Sequence, residues 1–133
     1  MWRVTKGMKA LDLSFDLILS SPFVRARRTA EIVAESFHLP KKLEFSQNLV
    51  PDGNAKELIE EIKLQHGKSK KILLVGHEPY LSQLVSLLIS GDSSIAITLK
   101  KAGLCKLSVD VLKYGQCATL EWLITPGQLR RVQ

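Results

Sequence analysis

With 133 residues the chain has room for one domain of ordinary size and not for two, so residues 1–133 are expected to share a single core. Its 45% hydrophobic and 24% charged residues are those of a globular protein, which excludes a disordered or collagen-like chain. Nineteen Lys and Arg against thirteen Asp and Glu give a formal charge of +6, a field that favours an anionic ligand.

Other classes fall away on the same grounds. The longest apolar runs, such as Leu84 to Ile89, are far short of the roughly 20 residues a bilayer-spanning helix needs. Met1-Trp2-Arg3 opens no signal peptide, so the expectation is a cytoplasmic protein without a membrane partner. Specific nucleic-acid binding is not expected. Aromatic residues are only 6% of the chain, and Phe15, Phe23, Phe37, Phe45 and the two Trp fall at positions that read as core rather than as a stacking platform. Cys105 and Cys117 are too few for a disulfide scaffold. With three histidines and no close Cys/His cluster, a structural zinc site is not expected; no cofactor is expected either.

In chain order, Phe15-Asp16-Leu17-Ile18-Leu19 is a short apolar run that stops at Ser20-Ser21-Pro22, the pattern of a buried parallel strand before a turn. From Val24 to Phe37 the apolar residues Ala26, Ala30, Val33 and Phe37 recur at helical spacing, and Pro40 lies just past the end. A short strand is expected at Leu43 to Phe45 and a turn at Pro51-Asp52-Gly53. Asn54 is placed to cap a second helix, with Glu57 completing a box-like pattern ahead of Leu58, Ile59 and Ile62, and Gly67 as the stop. Lys71 to Val75 reads as a second buried strand ending at Gly76-His77-Glu78. Pro79 suits the first turn of a helix running through Leu81, Leu84, Val85 and Leu88 to Gly91.

The tail changes period. Cys105, Leu107, Val109 and Val111 alternate with polar residues, and Ala118 to Ile124 alternates again after Tyr114-Gly115, which is hairpin patterning. A turn centred on Tyr114-Gly115 sets Cys117 across from Leu112 and Cys105 across from Ile124, so no bridge between the thiols is expected. The whole is an α/β protein, a three-layer α/β/α sandwich with a mostly parallel sheet and a C-terminal antiparallel hairpin.

Two segments share one geometry: a buried strand ends in a polar turn and leads directly into a helix. The first carries Ser20-Ser21-Pro22-Phe23-Val24-Arg25, the second Gly76-His77-Glu78-Pro79. In open α/β sheets ligands bind at the carboxyl ends of strands, where helix N-termini point into the crevice. Arg25 and His77 then converge as a guanidinium fork and an imidazole suited to a tetrahedral oxyanion such as phosphate. Ser20 and Ser21 have no G-x-S-x-G elbow around them and are not expected to be hydrolase nucleophiles. His66-Gly67 reads as a helix cap, and His38 as part of a helix end.

Ser21-Pro22-Phe23-Val24-Arg25-Ala26 with Thr29 resembles the S-P-x-x-R-A-x-x-T segment of the histidine phosphatase (phosphoglycerate mutase-like) superfamily, and Leu74-Val75-Gly76-His77-Glu78-Pro79 resembles its second histidine motif. The small size, Gly76-His77-Glu78-Pro79, and a closing hairpin at Lys100-Lys101-Ala102-Gly103-Leu104 are most similar to the short branch, the SixA-type phosphohistidine phosphatases. The resemblance implies a phosphoglycerate mutase-like fold and a metal-independent phosphatase acting on phosphorylated protein histidine or another phosphate-bearing substrate. It implies that Arg25 and His77 are catalytic, and that Arg25, Ser21 and His77 bind the substrate phosphate. The superfamily's Arg-His-Gly triplet, whose histidine takes the phosphoryl group, does not occur before Phe15. Residues Met1 to Leu11 resemble the end of the family's first helix, so the resemblance implies that the first strand and the nucleophile are missing from this chain, which is then itself inactive. A non-catalytic phosphate-recognising module and a small-molecule phosphomonoesterase of the same superfamily are the alternatives.

Overall fold

The β1 strand, Leu17–Ser20, is the centre around which the computed structural model, describing residues 2–132, is organised. It pairs in parallel with β2, Leu43–Phe45, on one side and with β3, Ile72–Val75, on the other. All four β1 residues are buried, because strand side chains alternate and helices cover both faces. Leu19 joins a cluster with Leu49, Leu58, Ile59, Ile62, Tyr80 and Leu84, supplied largely by α3, Ala55–Gln65, and α4, Tyr80–Ser90. Ile18 joins Val4, Met8, Ala30, Val33 and Leu129 on the opposite face. Those residues come from α1, Trp2–Ala10, α2, Val24–Ser36, and α5, Pro126–Arg131. The three-layer α/β/α arrangement follows directly. Among the described residues no helix is long and apolar enough to cross a membrane.

The helix ends carry their expected signals. The Asn54 side chain accepts the Glu57 N–H, the forward half of the anticipated box. Gly91, at φ 94°, closes α4 with its N–H on Leu87 O. His38, at φ 57°, ends α2 in a Schellman pattern, with Leu39 N–H on Ala34 O and His38 N–H on Glu35 O.

The structure corrects the expected sheet in four places. β3 is half-buried along its whole length rather than buried like β1, because β1 alone pairs with it among the described residues. The expected C-terminal antiparallel hairpin is present as β4, Leu104–Val109, and β5, Ala118–Ile124, which form a two-stranded sheet of their own. Leu107 and Ala118 nevertheless pack on the Leu19 cluster, while Leu104 and Ile124 pack on the Ile18 cluster. The hairpin therefore lies between the same helical layers as the parallel sheet. Its register also differs from expectation: Cys105 faces Leu123, not Ile124, and a bulge between Lys106 and Leu107 moves Leu107 opposite Leu120. Val111 lies beyond the strand and is 72% exposed, because the connection from residue 110 to 117 is a wide loop rather than a tight turn. Both thiols are free. Lys100 to Gly103 is a tight turn closed by the Gly103 N–H on Lys100 O, not a hairpin.

The aromatic residues divide differently as well. Phe15 and Phe37 do pack together, at 5.2 Å between ring centroids. Phe23, Phe45 and Trp2 are instead exposed, since each lies outside the buried stripe of its element. The α5 helix was not anticipated, although Thr125-Pro126-Gly127-Gln128 spells a full capping box with Pro at the first helical positions. It buries Leu129 completely against α1 and α2.

Gly7 allows α1 to lie against α5: a Cβ there would stand 2.0 Å from Leu129 O. Gly7→Ala should therefore lower stability by about 1–3 kcal/mol despite alanine's better helix propensity, measurable as a lower urea midpoint. A second test concerns Tyr80, whose hydroxyl is buried without a hydrogen-bond partner. Burial, and then the charge of Glu61, push its phenol up to about 12 from 10.0. The unfolded chain therefore ionises first, so this contribution to stability is complete below pH 10 and declines as pH rises from about 10 to 12. Tyr80→Phe should be neutral or stabilising by up to about 1 kcal/mol at pH 7, and should flatten that alkaline decline in a pH series of denaturation curves.

Candidate active site

Parallel pairing brings the carboxyl ends of the three strands to one edge. Ser20 stands opposite Phe45 and Val75, and the ladder continues one step past the strands. There Ser46 N–H bonds Ser20 O at 2.9 Å, and Ser21 N–H bonds Val75 O at 2.9 Å. The chain after β1 and the chain after β3 therefore leave the sheet side by side. His77 Nε2 and Ser21 Oγ meet at 2.8 Å, across 56 positions of sequence. The direction of the bond follows the tautomer: Nε2 accepts the Ser21 hydroxyl proton when it is bare and donates to the hydroxyl oxygen when it carries the hydrogen. Ser21 Oγ also accepts the Phe23 N–H at 3.1 Å, which fixes the turn into α2. Ser20, fully buried, donates its hydroxyl to Ser21 O at 2.8 Å and has no access to a substrate.

The two helix N-termini at this edge are not equivalent. α4 is closed by Glu78, whose carboxylate accepts both the N–H and the hydroxyl of Ser82, while the Leu81 N–H bonds His77 O. α2 has no side-chain cap: Phe23 stands at the N-cap, and the first intrahelical bond runs from Arg27 N–H to Phe23 O. Its first-turn amides, from Val24 to Ala26, are the ones left to meet an anion. The expectation that both helices aim free donors into the crevice is thus corrected to α2, because Glu78 serves α4. Arg25 lies exposed on the first turn of α2, two residues beyond a ring that touches His77. The phenyl ring of Phe23 meets the imidazole edge-on, with 5.6 Å between centroids and 63° between planes.

One polar group near the strand ends had no sequence signal. Glu61 on α3 accepts from Ser46 Oγ at 2.5 Å and from Asn48 Nδ2 at 2.9 Å, fastening the segment after β2. Its partners lie 15 and 13 positions upstream, beyond any local pattern. A cleft of about 390 Å³ lies elsewhere, lined by residues including Gly53, Tyr80, Gln83, Asp92 and Tyr114. Hydrogen bonds from Ser94 hold the Asp92 carboxyl below its usual range, so this cleft carries a negative charge and is unsuited to phosphate. Burial pushes the Cys105 thiol up, away from thiolate chemistry. Among the described residues no group of three or more His, Cys, Asp or Glu could hold a metal ion.

No family model matches the chain. It is 34% identical over 105 residues to an uncharacterised protein of Picosynechococcus sp., a match covering 78% of this chain and 63% of that protein. The chain thus spans slightly less than two thirds of that relative's length. It is 25% identical over 124 residues to the phosphohistidine phosphatase SixA of Escherichia coli, covering 92% and 74% of the two chains. A solved structure of the protein histidine phosphatase SixA complexed with tungstate superposes with a TM-score of 0.78 at 24% identity, over 95% of this chain and 78% of that one. With Ser21, Arg25 and His77 in the S-P-x-x-R-A and Gly-His-Glu-Pro segments at one sheet edge, the similarity in sequence and in fold supports a SixA-like protein of the histidine phosphatase superfamily.

Proposed function

We propose that this chain is the phosphate-holding part of a phosphohistidine phosphatase. The observation that carries the reading is the junction of Ser21 and His77 beside the uncapped N-terminus of α2, with Arg25 on that helix's first turn. A tetrahedral phosphoryl group set there accepts hydrogen bonds from the amides of α2, from the Arg25 fork and from the His77 imidazole. Three kinds of donor then share its negative charge. Phosphoryl transfer depends mainly on such positioning and charge stabilisation, so these groups favour the spread charge of the transition state. Ser21 is as fully buried as Ser20, so it acts through His77 by orienting its ring rather than by touching the phosphate.

The reaction has two steps. A nucleophilic imidazole nitrogen attacks phosphorus in line, one P–N bond forms as the bond to the substrate histidine breaks, and the substrate ring, already protonated from solvent on its other nitrogen, departs as neutral imidazole. Water then attacks the phosphoenzyme and releases inorganic phosphate, restoring the nucleophile. Arg25 and His77 supply the binding part of this scheme, with Ser21 positioning His77. The Arg-His-Gly triplet does not occur in these 133 residues, and the nucleophile is assigned to a segment outside them. A protonated imidazole leaves readily, so the scheme needs no acidic proton donor. That favours phosphohistidine over an alkyl phosphomonoester. The expected substrate is a phosphorylated protein, with the +6 charge of the chain drawing an acidic surface toward the site.

Inorganic phosphate should bind the 133-residue chain weakly. Arg25→Ala should weaken that binding about 10- to 100-fold, the loss expected for charge-assisted hydrogen bonds in calorimetric titration. The chain should show no steady hydrolysis of a phosphohistidine peptide. A polypeptide extended through an Arg-His-Gly triplet should show it, and His77→Ala should lower that rate about 100-fold or more. Steady turnover by the 133-residue chain itself, lost in His77→Ala, would overturn the assignment of the nucleophile to another segment.

A further inference from the structure

Phe23 occupies a position for which helix capping alone would select another residue. An N-cap is normally Ser, Thr, Asp or Asn, and replacing such a residue with an apolar one weakens the helix end. Here the N-cap makes no side-chain hydrogen bond and carries a phenyl ring that is 50% exposed. The ring is nevertheless held in place. Its backbone N–H is anchored on Ser21 Oγ at 3.1 Å, and one part of the ring lies against the His77 imidazole at 5.6 Å between centroids. The next residue, Val24, is 56% exposed, and Arg25 follows it on the surface. A fixed apolar platform thus adjoins the groups that hold phosphate, whereas the pair Phe15 and Phe37 is tucked against the core.

Resting on the phosphatase reading above, we infer that Phe23 is the specificity-determining residue of this site, a platform for a flat heteroaromatic group that carries the phosphoryl. A phosphoryl group held between Arg25 and His77 leaves its ester or amide substituent beside the one aromatic ring that touches His77. A flat imidazole gains offset or edge contact with that ring, and an aliphatic chain does not. The same platform explains the missing cap: a polar side chain at position 23 would occupy an amide of α2 that the anion needs.

The test titrates the 133-residue chain with inorganic phosphate, with a stable phosphonate borne on a pyrazole ring and with an alkyl phosphonate of similar size. The parent chain should prefer the pyrazole ligand over the alkyl ligand roughly three- to tenfold, the range of an aromatic pair. Phe23→Ala and Phe23→Leu should abolish that preference and leave inorganic phosphate binding unchanged, while Phe23→Tyr retains both. The leucine variant keeps the bulk against His77, and unchanged phosphate binding shows that each variant is folded. Equal affinity of the parent chain for the two phosphonates, or a preference that survives Phe23→Ala, overturns the role of Phe23 alone. Failure of the parent chain to bind phosphate at all overturns the underlying site together with it.

Discussion

The parallel pairing of β1 with both of its neighbours is the constraint on which the rest of the molecule depends. Parallel strands point their carboxyl ends the same way, so Ser20, Phe45 and Val75 finish level with one another. The Ser21 N–H on Val75 O extends that alignment by one residue, and within that step the strand ladder becomes a site. A slip of one residue between β1 and β3 would reverse the faces of Leu73 and Leu74, which pack on opposite clusters, and would part Ser21 from His77. The same register therefore holds both the core and the contact of Ser21 with His77.

Around that edge the polar groups divide the work by chemical type. Glu78 is a carboxylate beside a prospective anion site, an arrangement that opposes phosphate unless the charge is otherwise engaged. It is engaged by the Ser82 amide and hydroxyl, at the positive end of α4. Glu61 is likewise taken up by Ser46 and Asn48. With these carboxylates satisfied by neutral donors, the proposed ligand would meet the dipole of α2 and the guanidinium of Arg25. An apolar residue at the N-cap of α2 is the counterpart of this division, since it leaves the first-turn amides unspent.

The hairpin and the half-buried β3 show what the two apolar clusters accomplish without hydrogen bonds. Leu104, Leu107, Ala118 and Ile124 seat β4 and β5 against the same layers that cover β3, although the two sheets share no ladder. Burial of apolar surface is non-directional, so the helices position the hairpin by area and shape alone. The contact of Gly7 with Leu129 O belongs to the same scheme, because it lets α1 and α5 close one face of the sandwich at backbone distance.

The amino-acid sequence by itself determined the local elements. An apolar run ending in Ser-Ser-Pro, helical spacing from Ala26 to Val33, Asn54 three residues before Glu57, and Gly91 after Ser90 each specify structure through neighbours a few positions away, and each is found where the pattern put it. It also exposed the two motifs that carry Arg25 and His77, because their residue types are contiguous. Tertiary structure decided what depends on distant partners. That β3 is half-buried, that the hairpin stands apart with a bulge at Lys106, and that Glu61 fastens Ser46 and Asn48 are results of packing between segments far apart in the chain. Phe23 is the clearest case: in the sequence it reads as one more core aromatic, and only the folded chain sets its ring against His77 with half its surface in water. Periodicity reports which face of an element is apolar, but what covers that face is settled by three-dimensional contact, and at a functional edge nothing need cover it.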